Sequence, residues 1–160
     1  MGLPVRGRLS TARPATAADA DLLVAWHTDP EVSRYWDDKT FTREEMLARL
    51  ARERVDAWIV EEAGEPVGYL QSWWEEDEPR RGGIDGFLVP SARGRGLMPD
   101  AGRALAQSLL EAGWAEVTVD PYEWNERAIR GWAKAGFVEF ARRDGEVLMR
   151  FEVPMEAPRS

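Results

Sequence analysis

Three aspartates stand where the chain turns or changes texture. Asp85 interrupts the apolar run "GIDGFLV", Asp120 closes the alternating "EVTVD" just ahead of Pro121, and Asp144 lies in "RDGEV". A charge inside an apolar strand is costly unless it is paired or used. Asp85 is therefore the candidate to accept a proton or hold a cation. Gly83 and Gly86 beside it also suit an Asp at a sheet edge or bulge. Asp120 ends its strand, and ligand crevices in open sheets lie at the carboxyl ends of strands. An Asp before Pro, or before Gly as at 144–145, is equally ordinary turn chemistry.

The stretch "FLVPSARGRGLMPDAG" carries a second mechanism. A strand ends, Gly94 and Gly96 make a tight turn, and a helix begins. A helix start offers unpaired N–H groups and the positive end of a dipole, which together can seat a phosphate. Glycines let backbone approach closely, and Arg93 and Arg95 add positive charge. A bare G-x-G also serves as a plain connector. The spacing is not the dinucleotide G-x-G-x-x-G, because position 99 is Pro. The run "WWEEDE" places Trp73, Trp74, Glu75 and Glu76 side by side. Indole faces and carboxylates together make a lip for cations; such charge runs also form solvated loops. Trp36, in "RYWDD", suits either a substrate wall or core packing.

The elements that position these residues follow from pattern. Thr16 caps a helix over "TAADADLLVAWHTD", and Thr42 with Glu45 forms a capping box for the next. A hairpin turns at Ala63–Gly64, with Trp58–Glu61 and Pro66–Trp74 as arms, and "EEDEPRRGG" reads as a charged loop. "IDGFLV" is a strand, and the helix after the glycine turn carries Pro99 in its first turn. "NERAIRGWAKAG" is a helix with Asn125 at its N-cap and Gly136 at its end, and Ile129, Trp132 and Ala133 share its apolar face. Asp144–Gly145 turns a closing hairpin. The order β-α-α-β-β-β-α-β-α-β-β predicts one α/β (α+β) domain over residues 1–160, with a central mixed, mostly antiparallel sheet flanked by helices.

Composition narrows the chemistry. The 160 residues contain no Cys and one His, and carry a formal net charge of -8 with pI about 4.8. Thiolate chemistry and a histidine-built metal site are excluded, and no metal is expected. An acidic chain without a segregated basic patch repels nucleic acid; it fits a cationic small molecule, or solubility alone. No apolar run has the ~20 residues of a membrane span, and the N-terminus lacks a signal-peptide core. Cytoplasmic location and a monomer are the default expectations.

The turn "VPSARGRGLM" resembles the R/Q-x-x-G-x-G/A pyrophosphate loop of the GCN5-related N-acetyltransferase (GNAT) superfamily. Within it, "GEPVGYLQSW", "RGGIDGFLV" and "VDPYEWNERAIRGWAKAGF" are similar to stretches of aminoglycoside 6'-N-acetyltransferases. The likeness spans about Trp58 to Met149. It implies acetyl-CoA as co-substrate, with Phe87, Leu88 and Val89 offering backbone groups to the pantetheine. Arg93, Gly94, Arg95, Gly96, Leu97 and Met98 would hold the pyrophosphate, and Asn125 and Trp132 would face the cofactor arm. It implies Asp85 as the catalytic base, and Asp120 and Asp144 as substrate contacts, with Trp36, Trp73, Trp74, Glu75 and Glu76 as further wall. The expected reaction is direct acetylation of an amine of a polycationic small molecule, the 6'-amine of aminoglycoside antibiotics, giving resistance. The same fold also serves siderophore hydroxylamines, polyamines and protein N-termini, or binds acyl-CoA as a non-catalytic sensor. Two positions depart from the family pattern. Met98 replaces a small residue in the loop, and Trp132 replaces a Tyr whose hydroxyl would protonate the leaving thiolate.

Overall fold

Two short turns with positive φ, at Ala63–Gly64 (50° and 81°) and Asp144–Gly145 (54° and 80°), fold the chain back on itself. Positive φ at both central residues matches the twist of the flanking strands. The first turn joins β3 (Val55–Glu62) to β4 (Glu65–Asp77), and the second joins β7 (Phe137–Arg143) to β8 (Glu146–Phe151). The computed structural model describes residues 2–153. Its other strands are β1 (Val5–Arg6), β2 (Thr11–Pro14), β5 (Arg80–Leu88) and β6 (Glu116–Val119). The helices are α1 (Ala20–His27), α2 (Pro30–Ser33), α3 (Arg43–Leu50), α4 (Leu97–Glu111) and α5 (Glu126–Ala135). Among the described residues no helix is long and apolar enough to cross a membrane.

The expected caps are present. The Thr42–Glu45 box closes the start of α3 in both directions, and Asn125 accepts from the Ala128 N–H at the start of α5. Thr16 caps a single 3-10 turn, Ala17–Asp19, ahead of α1. The expected charged loop at 75–83 is instead the tip of a long hairpin: β4 and β5 stay paired out to Asp77 and Arg80, with a bulge between Trp74 and Glu76. Side-chain partners hold that tip. The Arg80 guanidinium lies 4.1 Å over the Trp74 ring, and Arg54 pairs with Asp77 at 2.6 Å. Cross-strand pairs of this kind stabilise a ladder even where the sequence lacks apolar alternation.

The eight strands form one sheet in the order β1-β2-β3-β4-β5-β6-β8-β7. Every neighbouring pair is antiparallel except β5 and β6. That parallel pair needs a crossover, which α4 supplies. One core lies under α4 and α5 and gathers Leu70, Ile84, Leu105, Val117, Trp132 and Val147. The other lies under α1–α3 and gathers Leu23, Val32, Ile59, Tyr69 and Phe87. The parallel pairing covers only Arg81–Gly83 against Glu116–Thr118. Past Gly83 the two strands diverge, and the flank of β5 from Ile84 onward opens as a wedge.

The single histidine lies in the second core. His27 is 2% exposed, boxed by Phe41, Phe87 and Trp36 with ring centroids 4.9, 5.1 and 5.9 Å away. Its Nδ1 has no hydrogen-bond partner. Burial, with Arg49 nearby, pushes its pKa down to about 4, against the partial support of the Lys39 backbone. In the unfolded chain it binds a proton below about pH 6.5. Between those values only the unfolded state is protonated, so acidification costs native stability. Urea unfolding should show wild type losing about 2 kcal/mol relative to His27→Phe between pH 7 and pH 5. Parallel pH dependence of the two proteins would contradict this origin.

Candidate active site

The wedge owes its chemistry to strand alternation. The Val89 N–H bonds the Val67 carbonyl at 2.9 Å. In an antiparallel ladder every second residue repeats that orientation. Phe87 and Val89 therefore direct their backbone groups at β4, while Gly86 and Leu88 direct theirs into the wedge. The Leu88 carbonyl agrees, since it accepts from Arg93 Nε at 3.2 Å on the open side. Of the expected backbone donors at 87–89, only Leu88 is so placed, and Gly86 joins it.

Beyond β5, Gly94 (φ 84°) and Gly96 (φ 78°) take left-handed conformations that a Cβ-bearing residue adopts only with strain. Alternation of this kind gathers successive N–H groups into an anion-binding concavity at the start of α4. Pro99 has no N–H to contribute, and the Asp100 N–H already bonds the Gly96 carbonyl at 3.2 Å. The Leu97 and Met98 N–H groups remain. The one acidic side chain of this turn, Asp100, is occupied by the N–H groups of Arg8, Leu9 and Ser10 at 2.8–3.0 Å. Its charge is thereby directed away from the concavity.

One cleft runs from this turn along α5, lined by Gly86, Phe87, Leu88, Arg93, Gly94, Gly96, Leu97, Met98, Asn125 and Trp132. Val89 and Arg95 are not in that lining. Arg95 turns aside to Glu62 at 2.9 Å. Arg93 serves as a strut, reaching the Glu31 carbonyl at 2.5 Å as well as Leu88. The positive lining comes instead from Arg127, Arg130 and Lys134, at helical spacing on α5. Met98 packs against the core, with its Cε 3.3 Å from where a Gly86 Cβ would lie, so a glycine absorbs its bulk. Trp132 is buried, and its ring lies 2.5 Å from where a Gly102 Cβ would be. Ile129 packs on the core as the periodicity predicts, whereas Ala133 is exposed, one position beyond that face.

A second cleft meets the first at Tyr35, Gly86, Asn125, Ala128 and Trp132, and contains Trp36, Asp85, Asp120 and Glu146. Asp85 is half-buried and accepts from Gln71 Nε2 at 3.2 Å. Gln71 is oriented from behind, its Oε1 accepting from Tyr69 (2.9 Å) and Arg52 (3.1 Å). Burial first, and then the charge of Asp120, push the Asp85 carboxyl up to about 6; hydrogen bonds from Gln71 and Trp73 oppose the rise. Glu146 is raised to about 7, by desolvation and then by its contact with Asp120. Asp37 and three cations, Lys39, Arg49 and Arg52, complete the charged lining. His27 lines neither cleft, so no imidazole is available to either.

The remaining predicted wall residues scatter. Trp73 lies beside Asp85, but Trp74 points to the opposite face, where it packs on Trp114 at 5.8 Å and bonds Asp77. Successive strand residues alternate faces, so the paired indoles of the sequence cannot share one lip. Glu75 is exposed, and the Glu76 side chain lies outside the described residues. Asp144 is exposed at its hairpin turn and lines neither cleft. The carboxylate this hairpin contributes is Glu146, which the sequence reading missed. The alternation of buried Val147, Met149 and Phe151 is the signal that turns Glu146 to the other face.

Comparison with known proteins bears on this geometry. Residues 15–144, most of the chain, match the model of the acetyltransferase (GNAT) domain. Aminoglycoside N(6')-acetyltransferase type 1 from Klebsiella pneumoniae and that from Serratia marcescens are each 33% identical over 146 residues, covering 79% of this chain and 73% of theirs. Among solved structures, AAC(6')-Ib in complex with paromomycin and acetyl-CoA superposes with a TM-score of 0.78 at 32% identity, over 89% of this chain and 93% of that one. The complex of AAC(6')-Ib with ribostamycin and coenzyme A gives 0.78 at 31% identity, with the same coverage.

The electrostatics can be tested without any ligand. Asp120→Asn removes the charge that repels Asp85 and should lower the pH midpoint of Asp85, read from carboxyl-carbon NMR shifts. An unmoved midpoint would assign the whole rise to burial.

Proposed function

The chain belongs to the GNAT acetyltransferase family, and we propose that it transfers acetyl from acetyl-CoA to an amine of a polycationic small molecule, the 6'-amine of aminoglycosides. The observation that carries this reading is the meeting of two unlike clefts at Gly86. One is lined by a glycine concavity, a helix start and three α5 cations, as a diphosphate-bearing substrate requires. The other holds Asp85, Asp120 and Glu146, as an ammonium-bearing one requires.

The roles follow from placement. Asp120 and Glu146 anchor ammonium groups of the acceptor; a charge-assisted hydrogen bond contributes about 1.5–3 kcal/mol. Trp36 forms the apolar wall beside them. An ammonium cannot attack, so one amine must first lose its proton. Asp85, with a pKa near 6, is ionised at neutral pH yet basic enough to accept that proton, directly or through water. The neutral nitrogen then attacks the thioester carbonyl in a ternary complex. The negative charge that develops on the carbonyl oxygen requires a fixed donor. The Leu88 N–H, aimed into the wedge, is that donor, with Gly86 beside it.

Thiol release from acetyl-CoA should accompany addition of kanamycin, but not of an analogue bearing a hydroxyl in place of the 6'-amine. Absence of turnover with every 6'-amino aminoglycoside would sink the reading. Asp85→Asn should cut turnover by about 10²-fold or more. Protonating Asp85 disables it, so kcat/KM should fall about tenfold from pH 7 to pH 5. The limb in kcat should lie lower, because bound ammonium groups favour the ionised carboxylates.

A further inference from the structure

We propose that Tyr35 is the acid that protonates the departing thiolate, an assignment that rests on the acetyl-transfer reading above. The acetyl carbon must lie where the two clefts meet, since the new bond joins a molecule in one to a molecule in the other. Five residues line both clefts: Tyr35, Gly86, Asn125, Ala128 and Trp132. Gly86 and Ala128 carry no polar side chain. The Asn125 carbonyl caps α5. Neither a carboxamide nor an indole gives up a proton near neutrality. Tyr35 is the member of the set with a transferable one.

The other two tyrosine hydroxyls are committed elsewhere. Tyr69 donates to Gln71 at 2.9 Å, and Tyr122 donates to Asp37. The Tyr35 hydroxyl makes no hydrogen bond to any described protein group. There is no cysteine, and His27 is buried away from both clefts. The Tyr35 ring is nonetheless held. Trp124 packs on it at 5.6 Å, and the Arg34 and Arg93 guanidiniums lie 5.0 and 5.1 Å from its centre. Arg93 is itself fixed to the Leu88 carbonyl. The phenol is thus referenced to the same strand end whose N–H receives the oxyanion. Both cations face the ring on which negative charge develops as the proton leaves.

The step balances without a further reactant. Collapse of the tetrahedral intermediate breaks the C–S bond, and the electron pair goes to sulfur. The Tyr35 O–H gives its proton to that sulfur, and the phenolate recovers one from solvent. Asp85 meanwhile holds the proton taken from the amine and releases it to solvent. The nitrogen of the tetrahedral adduct, still carrying two hydrogens and a positive charge, loses its second proton through water to solvent as the neutral amide forms. Net, the ammonium gives up two protons, of which one ends on sulfur and one in solvent. A thiolate of pKa about 8.5 is a fair leaving group unaided, so the gain belongs at the low end of general acid catalysis, about 10- to 100-fold.

Tyr35→Phe keeps the stacked ring and removes only the hydroxyl. With acetyl-CoA and kanamycin its kcat should fall about 10- to 100-fold. The Kd for CoA, by calorimetry, should stay within about twofold, which also reports that the variant is folded. Incorporation of 3-fluorotyrosine at position 35 should restore turnover. A kcat within twofold of wild type overturns the assignment. So does a kcat loss matched by an equal loss of CoA affinity, which would make Tyr35 a packing residue. The same comparison is to be run on acceptor-free hydrolysis of acetyl-CoA, which ends in the same C–S cleavage. A wild-type protein that hydrolyses acetyl-CoA but ignores kanamycin would sink the aminoglycoside reading, while the hydrolytic deficit of Tyr35→Phe would still decide the role of Tyr35.

Discussion

Everything in the two clefts depends on the early end of one parallel strand pair. β5 and β6 share three register positions, Arg81–Gly83 with Glu116–Thr118, and then part. Backbone polar groups freed from a ladder must find partners elsewhere. Here Arg93 takes the Leu88 carbonyl, and the Leu88 and Gly86 N–H groups are left facing the gap. The parallel pairing also dictates what surrounds the gap. A parallel connection requires a crossover, and the crossover helix must start at the carboxyl end of β5. A helix N-terminus therefore arrives beside the open strand edge as a consequence of topology. The glycines at 94 and 96 complete an arrangement that the sheet order had already imposed.

The same parting explains why the acids converge. Asp85 is the second residue of β5 beyond the paired segment, and Asp120 is the first residue beyond β6. Each was readable locally, as a charge in an apolar run and as a strand end. Glu146 was not, because its place depends on the register of β8 against β6 and on its bridge to Tyr122, both long-range facts. The turn aspartate two residues earlier drew attention because Asp-Gly is a strong local signal, yet that signal describes the turn alone. Trp73 and Trp74 show the complementary error. Their acidic neighbours hid a strand, and in a strand adjacent indoles face opposite ways. The α5 cations could have been found from helical spacing, had their face been compared with that of Trp132.

The electrostatics of the second cleft follow from burial acting on like charges. Asp85 cannot be ionised cheaply beside Asp120, nor can Glu146, so both carboxyls are held well above their usual range. In the free protein near neutrality Glu146, raised to about 7, keeps a proton part of the time, while Asp85, raised to about 6, is largely ionised. An acceptor carrying several ammonium groups reverses this, because each cation seated between two carboxylates removes the repulsion that kept a proton there. On the proposed function, the cationic acceptor completes the ionisation of Glu146 as it binds, while Asp85 is already ionised at neutral pH and is held so more firmly as the site fills. On that proposal, a monocation seated between two of the carboxylates leaves the third unpaired, so the arrangement favours polycations. On the same proposal, Gln71 keeps Asp85 aimed during this change. Its carbonyl is fixed by Tyr69 and Arg52, so its amide donates to Asp85 and favours the ionised carboxylate as the proton leaves.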